Sequence, residues 1–465
     1  MLASHRRRRS GVTRRAYSAS GSSIYSYDTT FDLLGRPVNA TDSQSLARSY
    51  LYNRRNELAA ATIGTNAYEY AYDTIGNRTV ASANSVTNTY AANNLNQYTH
   101  VDASQLTYDA DGNLTQDDRF AYAYDAENRM ISTRPIAPSE GDLAVVNAYD
   151  HKHRRVMKRV EQFDGDVWQT SETHTFAYDG CNIVLERIAL ADGSTRTVEY
   201  FWGNDLSGSE QGAGGVGGLL AVSIDGSFYF PCYDQNGNVV CYVSESGVIA
   251  AQYVYAPYGN VIDQYGALAD VFDVRFSTRY TDRETGLVSY KRRFCRPEHG
   301  RWLNRDPLEE FGGENLFAFC LNNSIVYVDP FGMDIWVENT VAVGGFHQRV
   351  CVDMWRQSRI GSCCKGKTYC KAGKYCISFG ANDGADTTDS YSGDGGSFDS
   401  DSSGDSSISK DERTRKGGAS PFPKGFDGPN DNGDGSVYSD NRDPATKTAY
   451  YFGLFVHDCG YSFAA

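Results

Sequence analysis

The chain has 465 residues, of which 40% are hydrophobic and 13% aromatic, so it is long enough for two or three domains with buried cores. Its net charge of -14 disfavours a broad nucleic-acid-binding surface, because contacts to phosphates need a positive field, and no nucleic-acid partner is predicted. No apolar stretch of about 18 residues occurs, so no helical membrane span is predicted. The 33 Tyr and 46 Gly favour strands joined by tight turns.

The first twenty residues are basic, with arginines at positions 6–9, 14 and 15. They lack the apolar segment of a secretory signal, which argues against a targeting role. We therefore predict that residues 1–20 are the disordered start of a gene fragment.

An irregular repeat fills residues 21–270. Each unit joins an aromatic, strand-favouring run to an Asx/Gly turn and then to another strand, which is typical of a β-hairpin. The units contain Tyr27-Asp28, Tyr72-Asp73, Tyr108-Asp109, Tyr124-Asp125, Tyr149-Asp150, Tyr178-Asp179 and Tyr233-Asp234. Tyrosine suits such a sheet, because its ring covers a neighbouring strand while its hydroxyl reaches water or a backbone group. The repeat predicts a long sheet built by adding hairpins, and no chemistry is assigned to it.

Two aspartates, Asp306 and Asp329, stand before prolines, and the composition of the chain changes just after Met333. Two carboxylates that share a buried site cannot both stay ionised, which makes such a pair suited to acid–base hydrolysis. Arg305 can hold one of them ionised by charge pairing, while burial favours a proton on the other. Asp before Pro is also a common start of a turn, so the spacing alone leaves a structural role open.

Four motifs surround these aspartates. They are Arg279-Tyr-Thr-Asp-Arg-Glu-Thr-Gly-Leu-Val-Ser-Tyr-Lys-Arg-Arg-Phe294, Gly300-Arg-Trp-Leu-Asn-Arg-Asp-Pro307, Asn315-Leu-Phe-Ala-Phe-Cys-Leu-Asn-Asn323 and Val328-Asp-Pro-Phe-Gly-Met333. The block resembles the associated core of the RHS/YD-repeat family, and with the repeats the resemblance extends over residues from about 20 to 333. It implies a mainly β fold, in which the repeats form a partial β-sheet shell and the core strip, residues 271–333, closes one end. The shell is short for full enclosure, so an N-terminal part is expected to be missing.

The resemblance also implies a function. Arg305, Asp306 and Asp329 would cleave the chain by an aspartyl mechanism between Met333 and Asp334, with no cofactor. The released cargo would be the chain's own C-terminal effector, a toxin secreted by a bacterium or held at its surface. An immunity protein and a secretion-system component are the further partners that the resemblance implies. The alternative is a structural or adhesive surface protein that does not cut itself and has a disulfide-rich binding tail.

Residues 334–465 lack the repeat and are predicted to form a small α+β domain. Alternating apolar positions such as Val350, Val352 and Met354 predict strands. Residues 381–440, rich in Asp, Ser and Gly, are too polar to fold alone and are predicted to be a disordered insertion. The carboxylates there do not match a calcium loop, and the chain has no Cys-x-x-Cys pair, so no metal is predicted.

Cys459 follows an apolar run near the end of the chain, and a thiol at the start of a helix is activated by the helix dipole. The order of His347, Ser378-Phe-Gly380 and Asp458-Cys-Gly-Tyr-Ser-Phe463 resembles permuted papain-like cysteine hydrolases, with Asp458 in place of the usual Asn. That resemblance implies Cys459 as nucleophile and His347 as general base. His457 is interpreted as a surface or packing residue, because two residues before a nucleophile its side chain would point elsewhere.

Two other interpretations of the C-terminal domain stay open. Six cysteines lie beyond Met333, an even number that suits complete disulfide pairing in a secreted binding or pore-forming domain. An effector of another enzyme class, such as a nuclease or a deaminase, is disfavoured by the acidic charge and the missing zinc spacing.

Overall fold

A computed structural model of the chain describes residues 14–18 and 23–333 with their side chains, except that of Phe311, and assigns further strands to the backbone on both sides. The predicted mainly β fold is confirmed. Within the part described with side chains, helical geometry is confined to three short 3₁₀ turns at Phe276–Thr278, Glu309–Phe311 and Cys320–Asn322. No helix in the described part of the chain is both long and apolar enough to cross a membrane.

The shell consists of two antiparallel sheets in which every strand pairs with its neighbours along the chain. The first sheet contains β1 (Ala3–Arg9), β2 (Val12–Ala19), β3 (Ser22–Phe31), β4 (Pro37–Asp42), β5 (Ala47–Tyr52), β6 (Leu58–Ile63), β7 (Asn66–Tyr72), β8 (Arg78–Ala83), β9 (Val86–Ala92), β10 (Tyr98–Val101) and β11 (Ser104–Gln105). The second contains β12 (Thr107–Tyr108), β13 (Leu114–Gln116), β14 (Phe120–Tyr124), β15 (Met130–Pro135), β16 (Leu143–Tyr149), β17 (Arg155–Phe163), β18 (Trp168–Asp179), β19 (Asn182–Leu190), β20 (Thr195–Trp202), β21 (Leu219–Ile224), β22 (Ser227–Tyr233), β23 (Val239–Ser244), β24 (Ile249–Tyr255) and β25 (Val261–Tyr265). This order is what hairpin addition predicts.

The core strip forms a separate four-stranded meander of β26 (Tyr280–Asp282), β27 (Leu287–Ser289), β28 (Phe294–Arg296) and β29 (Arg301–Trp302). Past Met333 the backbone strands are β30 (Trp336–Ala342), β31 (Gly345–Gln357), β32 (Tyr369–Gly380), β33 (Ser390–Gly393), β34 (Gly396–Asp399), β35 (Ile408–Ser409) and β36 (Ser436–Val437). The α part of the C-terminal domain, the domain boundaries and the disordered insertion at 381–440 stay predictions, since they fall wholly or partly outside the described residues.

The prediction of a disordered basic start is wrong for β2. This strand pairs with β3, and alternation along it turns Tyr17 to the buried side, where 4% of the residue is exposed. The Tyr17 hydroxyl accepts a hydrogen bond from the backbone N–H of Tyr233 at 2.8 Å, and Arg15 donates to the carbonyl of Asp234 at 2.6 Å. Strand β2 therefore belongs to the shell.

The two sheets curl toward each other and bury apolar residues between them. The side-chain amides of Gln44 and Gln252 exchange hydrogen bonds of 2.8 and 2.7 Å, and the hydroxyls of Tyr72 and Tyr258 lie 2.6 Å apart. Buried residues from both sheets meet in a single cluster that includes Tyr17, Tyr25, Tyr27, Val240 and Tyr242. The shell is thus filled by its own tyrosines where β2 and β3 meet β22–β24.

One rim of the shell consists of turns with a common hydrogen-bond pattern. In the turn that begins at Asp73, one carboxylate oxygen accepts the backbone N–H groups of Ile75 and Asn77 at 3.0 and 2.8 Å, while Gly76 takes a φ of +89°. Such a carboxylate mimics a backbone acceptor and so fixes the turn. The same pattern recurs at Asp32, Asn53, Asn93, Asp109, Asp125, Asp150 and Asp234. We call these the rim turns.

The repeat prediction was wrong at its first unit. Tyr27-Asp28 lies inside β3, and the turn follows at Asp32. The turns that start at Asn53 and Asn93 were missed because Asn replaces Asp at their first position. At Asp32 and Asn93 the preceding residue is hydrophobic but is not Tyr, so no Tyr-Asp pair marks these two turns. The amide oxygen of Asn accepts the same two backbone N–H groups as a carboxylate.

Candidate self-cleavage site

The core strip attaches to five of the rim turns through the fourth residue of the turn. A positive φ at this residue, as at Gly76 and Asn96, turns its carbonyl toward the strip. The contacts are Asn323 Nδ2 to the Asn56 carbonyl at 2.6 Å, Asn322 Nδ2 to Gly76 at 2.8 Å, Asn304 Nδ2 to Asn128 at 3.3 Å, Thr278 Oγ1 to Gly237 at 2.6 Å, and the Arg301 guanidinium to Asn96. Five turns of the shell are thereby bound to one continuous strip.

A buried charge cluster fixes the other side of the strip. Arg155 of β17 donates to both carboxylate oxygens of Asp282 at 2.9 and 2.8 Å, and the Lys158 ammonium lies 2.8 Å from Glu284. Burial alone would raise the pKa of Asp282, but the positive charges of Arg155 and Lys158 outweigh it and hold this pKa below its ordinary value. The strip therefore meets the shell through paired charges as well as carbonyl contacts.

Asp306 and Asp329 come together in the strip around one guanidinium. Nη2 of Arg293 lies 2.6 Å from Oδ2 of Asp306 and 3.6 Å from Oδ2 of Asp329. All three side chains are at most 2% exposed. The Arg293 guanidinium also stacks 4.2 Å from the ring centre of Trp302, which contacts Tyr290 and Phe319 edge to face. The pair thus lies in an aromatic, water-poor environment, where charge interactions are strong.

Asp329 organises the loop that leads to Met333. Its Oδ1 accepts the backbone N–H groups of Phe331, Gly332 and Met333 at 3.0, 2.6 and 3.1 Å. The carbonyls of this loop are held as well, with Pro330 bound by the Arg279 guanidinium at 2.5 Å, Phe331 by the Arg292 N–H at 3.2 Å and Gly332 by Arg293 Nε at 2.6 Å. The chain is therefore fixed up to the residue that precedes the predicted cut.

The setting of Asp306 favours its protonated form. Burial raises its pKa to about 6, with a further increase from the negative charge of Asp329, against the lowering effects of Arg293 and of the Leu308 N–H at 2.7 Å. Gly312 packs on this carboxyl group so closely that a Cβ there would lie 2.8 Å from Cγ of Asp306. Asp306 is therefore suited to hold and supply a proton, as the acid in acid–base catalysis must.

Arg305 does not make the charge pairing expected of it. It is exposed, its stem lies over Gly112 at the fourth position of a rim turn, and Arg293 forms the ion pair with Asp306 instead. The sequence signal for Arg293 was its place directly before the buried strand β28, where an inward charge needs a carboxylate partner.

The remaining predicted site residues are only partly described. Met333 is the last residue of the continuously described chain, and Asp334 lies outside it. His347 lies on β31, whose side chains are not described, and Cys459 falls outside the described residues. Within the described part of the chain no cluster of three or more His, Cys, Asp or Glu side chains could hold a metal ion.

The rim turns, the curled sheets and the attached strip define a YD-repeat β-shell. A family profile described as Teneurin YD-shell matches residues 9–169. Among curated proteins, the tRNA3(Ser)-specific nuclease WapA of Bacillus spizizenii is 32% identical over 300 residues, covering 62% of this chain and 12% of that protein. The double-stranded DNA deaminase toxin A of Burkholderia cenocepacia is 27% identical over 329 residues, covering 66% of this chain and 22% of that protein.

A solved structure titled Crystal Structure of TcdB2-TccC3-Cdc42 aligns with a TM-score of 0.38 and 16% identity, covering 70% of this chain and 20% of that one. The chain thus spans less than a quarter of the length of the two curated relatives. Its repeats, turns and strip are those of an RHS/YD-repeat protein, and it is similar to proteins named as a tRNA nuclease and a DNA deaminase toxin.

Proposed function

We propose that the chain is a self-processing toxin carrier that cuts itself after Met333. The observation that carries the proposal is the shared contact of Asp306 and Asp329 with Arg293, next to a loop whose N–H and C=O groups are held up to Met333. In this proposal Asp329 is the base and Asp306 the acid, and Arg293 positions both. Arg305 acts as an anchor of the strip on the rim turn at Gly112.

The reaction consumes one water. Asp329 takes a proton from the water as its oxygen adds to the carbonyl carbon of Met333, and Asp306 gives its proton to the departing amide nitrogen of Asp334. The C–N bond breaks, leaving a carboxylate on Met333 and an amine on Asp334. The intact mass of the protein after expression tests the proposal, because cutting gives two fragments that meet at this bond. A single full-length mass would favour the alternative of a surface protein that does not cut itself.

Self-cleavage should slow as the pH rises through about 6, the value to which burial raises the pKa of Asp306. Below that pH Asp306 is protonated and can supply its proton. Above it, the fraction of molecules with protonated Asp306 falls roughly tenfold per pH unit. The full chain, collected unfolded in urea, would be diluted into buffers from pH 5 to 8, and the fraction cut followed on denaturing gels. A rate that stays flat or rises over this range contradicts the role of Asp306 as the acid.

We further propose that the released segment, residues 334–465, is an enzymatic effector, supported by relatives whose names describe a nuclease and a deaminase toxin. Within that class we retain the cysteine hydrolase with Cys459 as nucleophile and His347 as base. We also propose that the protein is exported from the producing cell by a secretion system, and that an immunity protein protects the producer.

Replacing Cys459 by Ala should abolish growth arrest in bacteria that express the full chain, because removing a nucleophile removes the covalent intermediate. Cys376→Ala is the control, since it removes a thiol of the same domain that has no proposed catalytic role. Colony counts after induction measure the effect. If Cys459→Ala stays as toxic as the wild type, the effector uses other chemistry.

A further inference from the structure

The loop between β20 and β21, residues 203–218, contains seven glycines and lies against the cleavage loop. We call it the glycine-rich loop. Asp205 shapes it, since one carboxylate oxygen accepts the N–H groups of Ala213 and Gly215 at 2.7 and 2.9 Å. A single buried carboxylate therefore holds the loop in one conformation.

The glycine-rich loop contacts the residues on both sides of Asp329. Ala213 and Val216 are fully buried and form an apolar cluster with Val328. On the other side of Asp329, Arg279 connects the Gly214 carbonyl at 2.7 Å to the Pro330 carbonyl at 2.5 Å. Gly214 lies so near that a Cβ there would overlap the Pro330 carbonyl oxygen.

We infer that the glycine-rich loop is a positioning element for self-cleavage, so that the shell controls whether the strip can cut. The inference rests on the proposed function. Neither Asp306 nor Asp329 belongs to the shell, yet the segment from Val328 to Pro330 is held by a loop that precedes it by more than a hundred residues. A strip that folds before the shell has formed lacks this support. Cutting then waits until the shell has been built.

Two glycines of this loop give a matched test. Gly214 has a φ of +61° and Gly208 a φ of +82°, so Ala at either position carries similar backbone strain. A Cβ on Gly208 meets nothing within 4 Å, whereas one on Gly214 pushes against Pro330. Because a displacement of about 1 Å can cost a hundredfold in rate, Gly214→Ala should slow cutting roughly 10- to 100-fold relative to Gly208→Ala.

The measurement is the time course of cutting by the full chain after dilution from urea, with thermal unfolding of each variant followed in an Asp306→Asn background. Equal cutting by the two glycine variants overturns the inference while leaving the proposed function intact, and an uncut wild type overturns the proposed function itself. If Gly214→Ala lowers the unfolding temperature enough to account for its lower cutting rate, the effect is purely structural, and this result would also overturn the inference.

Chemical rescue tests the positioning role separately from the stability of the protein. Arg279→Ala removes the connection between Gly214 and Pro330, and added guanidinium ion at low, non-denaturing concentration should restore part of the cutting rate. Sodium chloride at the same concentration is the control. Failure of guanidinium to restore cutting, with the variant still folded, counts against a positioning role for Arg279.

Discussion

Replacing Asp306 or Asp329 by Asn should leave the 465-residue chain as a single uncut species. Each change removes a group that transfers a proton in the proposed reaction, and general acid or base catalysis contributes about 10²- to 10⁴-fold. Asn preserves the size of the side chain and its acceptor oxygen, so the Asp329 loop keeps its backbone contacts. Intact mass after expression, followed over days, measures the loss.

Asp42 supplies the control for this experiment. It is a buried aspartate that faces a buried arginine, with Oδ2 3.2 Å from Nη1 of Arg48, but it belongs to the shell. Asp42→Asn should therefore cut at the wild-type rate, because it perturbs a similar ion pair without touching the strip. Cutting that survives both Asp306→Asn and Asp329→Asn would mean that other residues perform the reaction.

Replacing Asp282 by Ala should destabilise the protein by about 3–5 kcal/mol, because it leaves the buried cations Arg155 and Lys158 without their shared carboxylate. The cost is large because both cations are at most 4% exposed. Urea unfolding followed by tyrosine and tryptophan fluorescence, in an Asp306→Asn background that keeps all chains the same length, measures the difference.

Asp166, exposed in the turn between β17 and β18, is the matched control for that measurement. Asp166→Ala should change the free energy of unfolding by no more than about 0.5 kcal/mol, as is usual for a surface site. A loss at Asp282 no larger than at Asp166 would show that the charge cluster does not attach the strip to the shell.

The hairpin architecture could be predicted because its signal is local. A Tyr-Asp pair followed by Gly or Asn fixes a strand end and a turn within five residues, as at Asp73 and Asp109. The same locality explains the errors. Tyr27-Asp28 has the letters of a turn but lies within β3, whose pairing with β2 and β4 decides its conformation.

The site could be predicted only in part, because its partners are distant in sequence. The motifs around Asp306 and Asp329 predicted the two carboxylates, but they did not predict which arginine pairs with them. Arg305 was expected as partner because it adjoins Asp306, yet consecutive side chains outside a helix generally point to different sides of the backbone. Arg293 reaches the pair from the connection between β27 and β28, and its place before a buried strand does not indicate which carboxylates it meets.

The way in which the strip binds the rim turns has an evolutionary consequence. The strip's asparagines recognise main-chain carbonyls, at Asn56, Gly76 and Asn128 for example, and every polypeptide presents these whatever its side chains are. Shell hairpins can therefore diverge in sequence, or be duplicated, while the same terminal strip still fits them. A lineage that keeps this strip can exchange the hairpins before it and the segment after it. The strip is then the constant part of a chain whose other parts can be replaced.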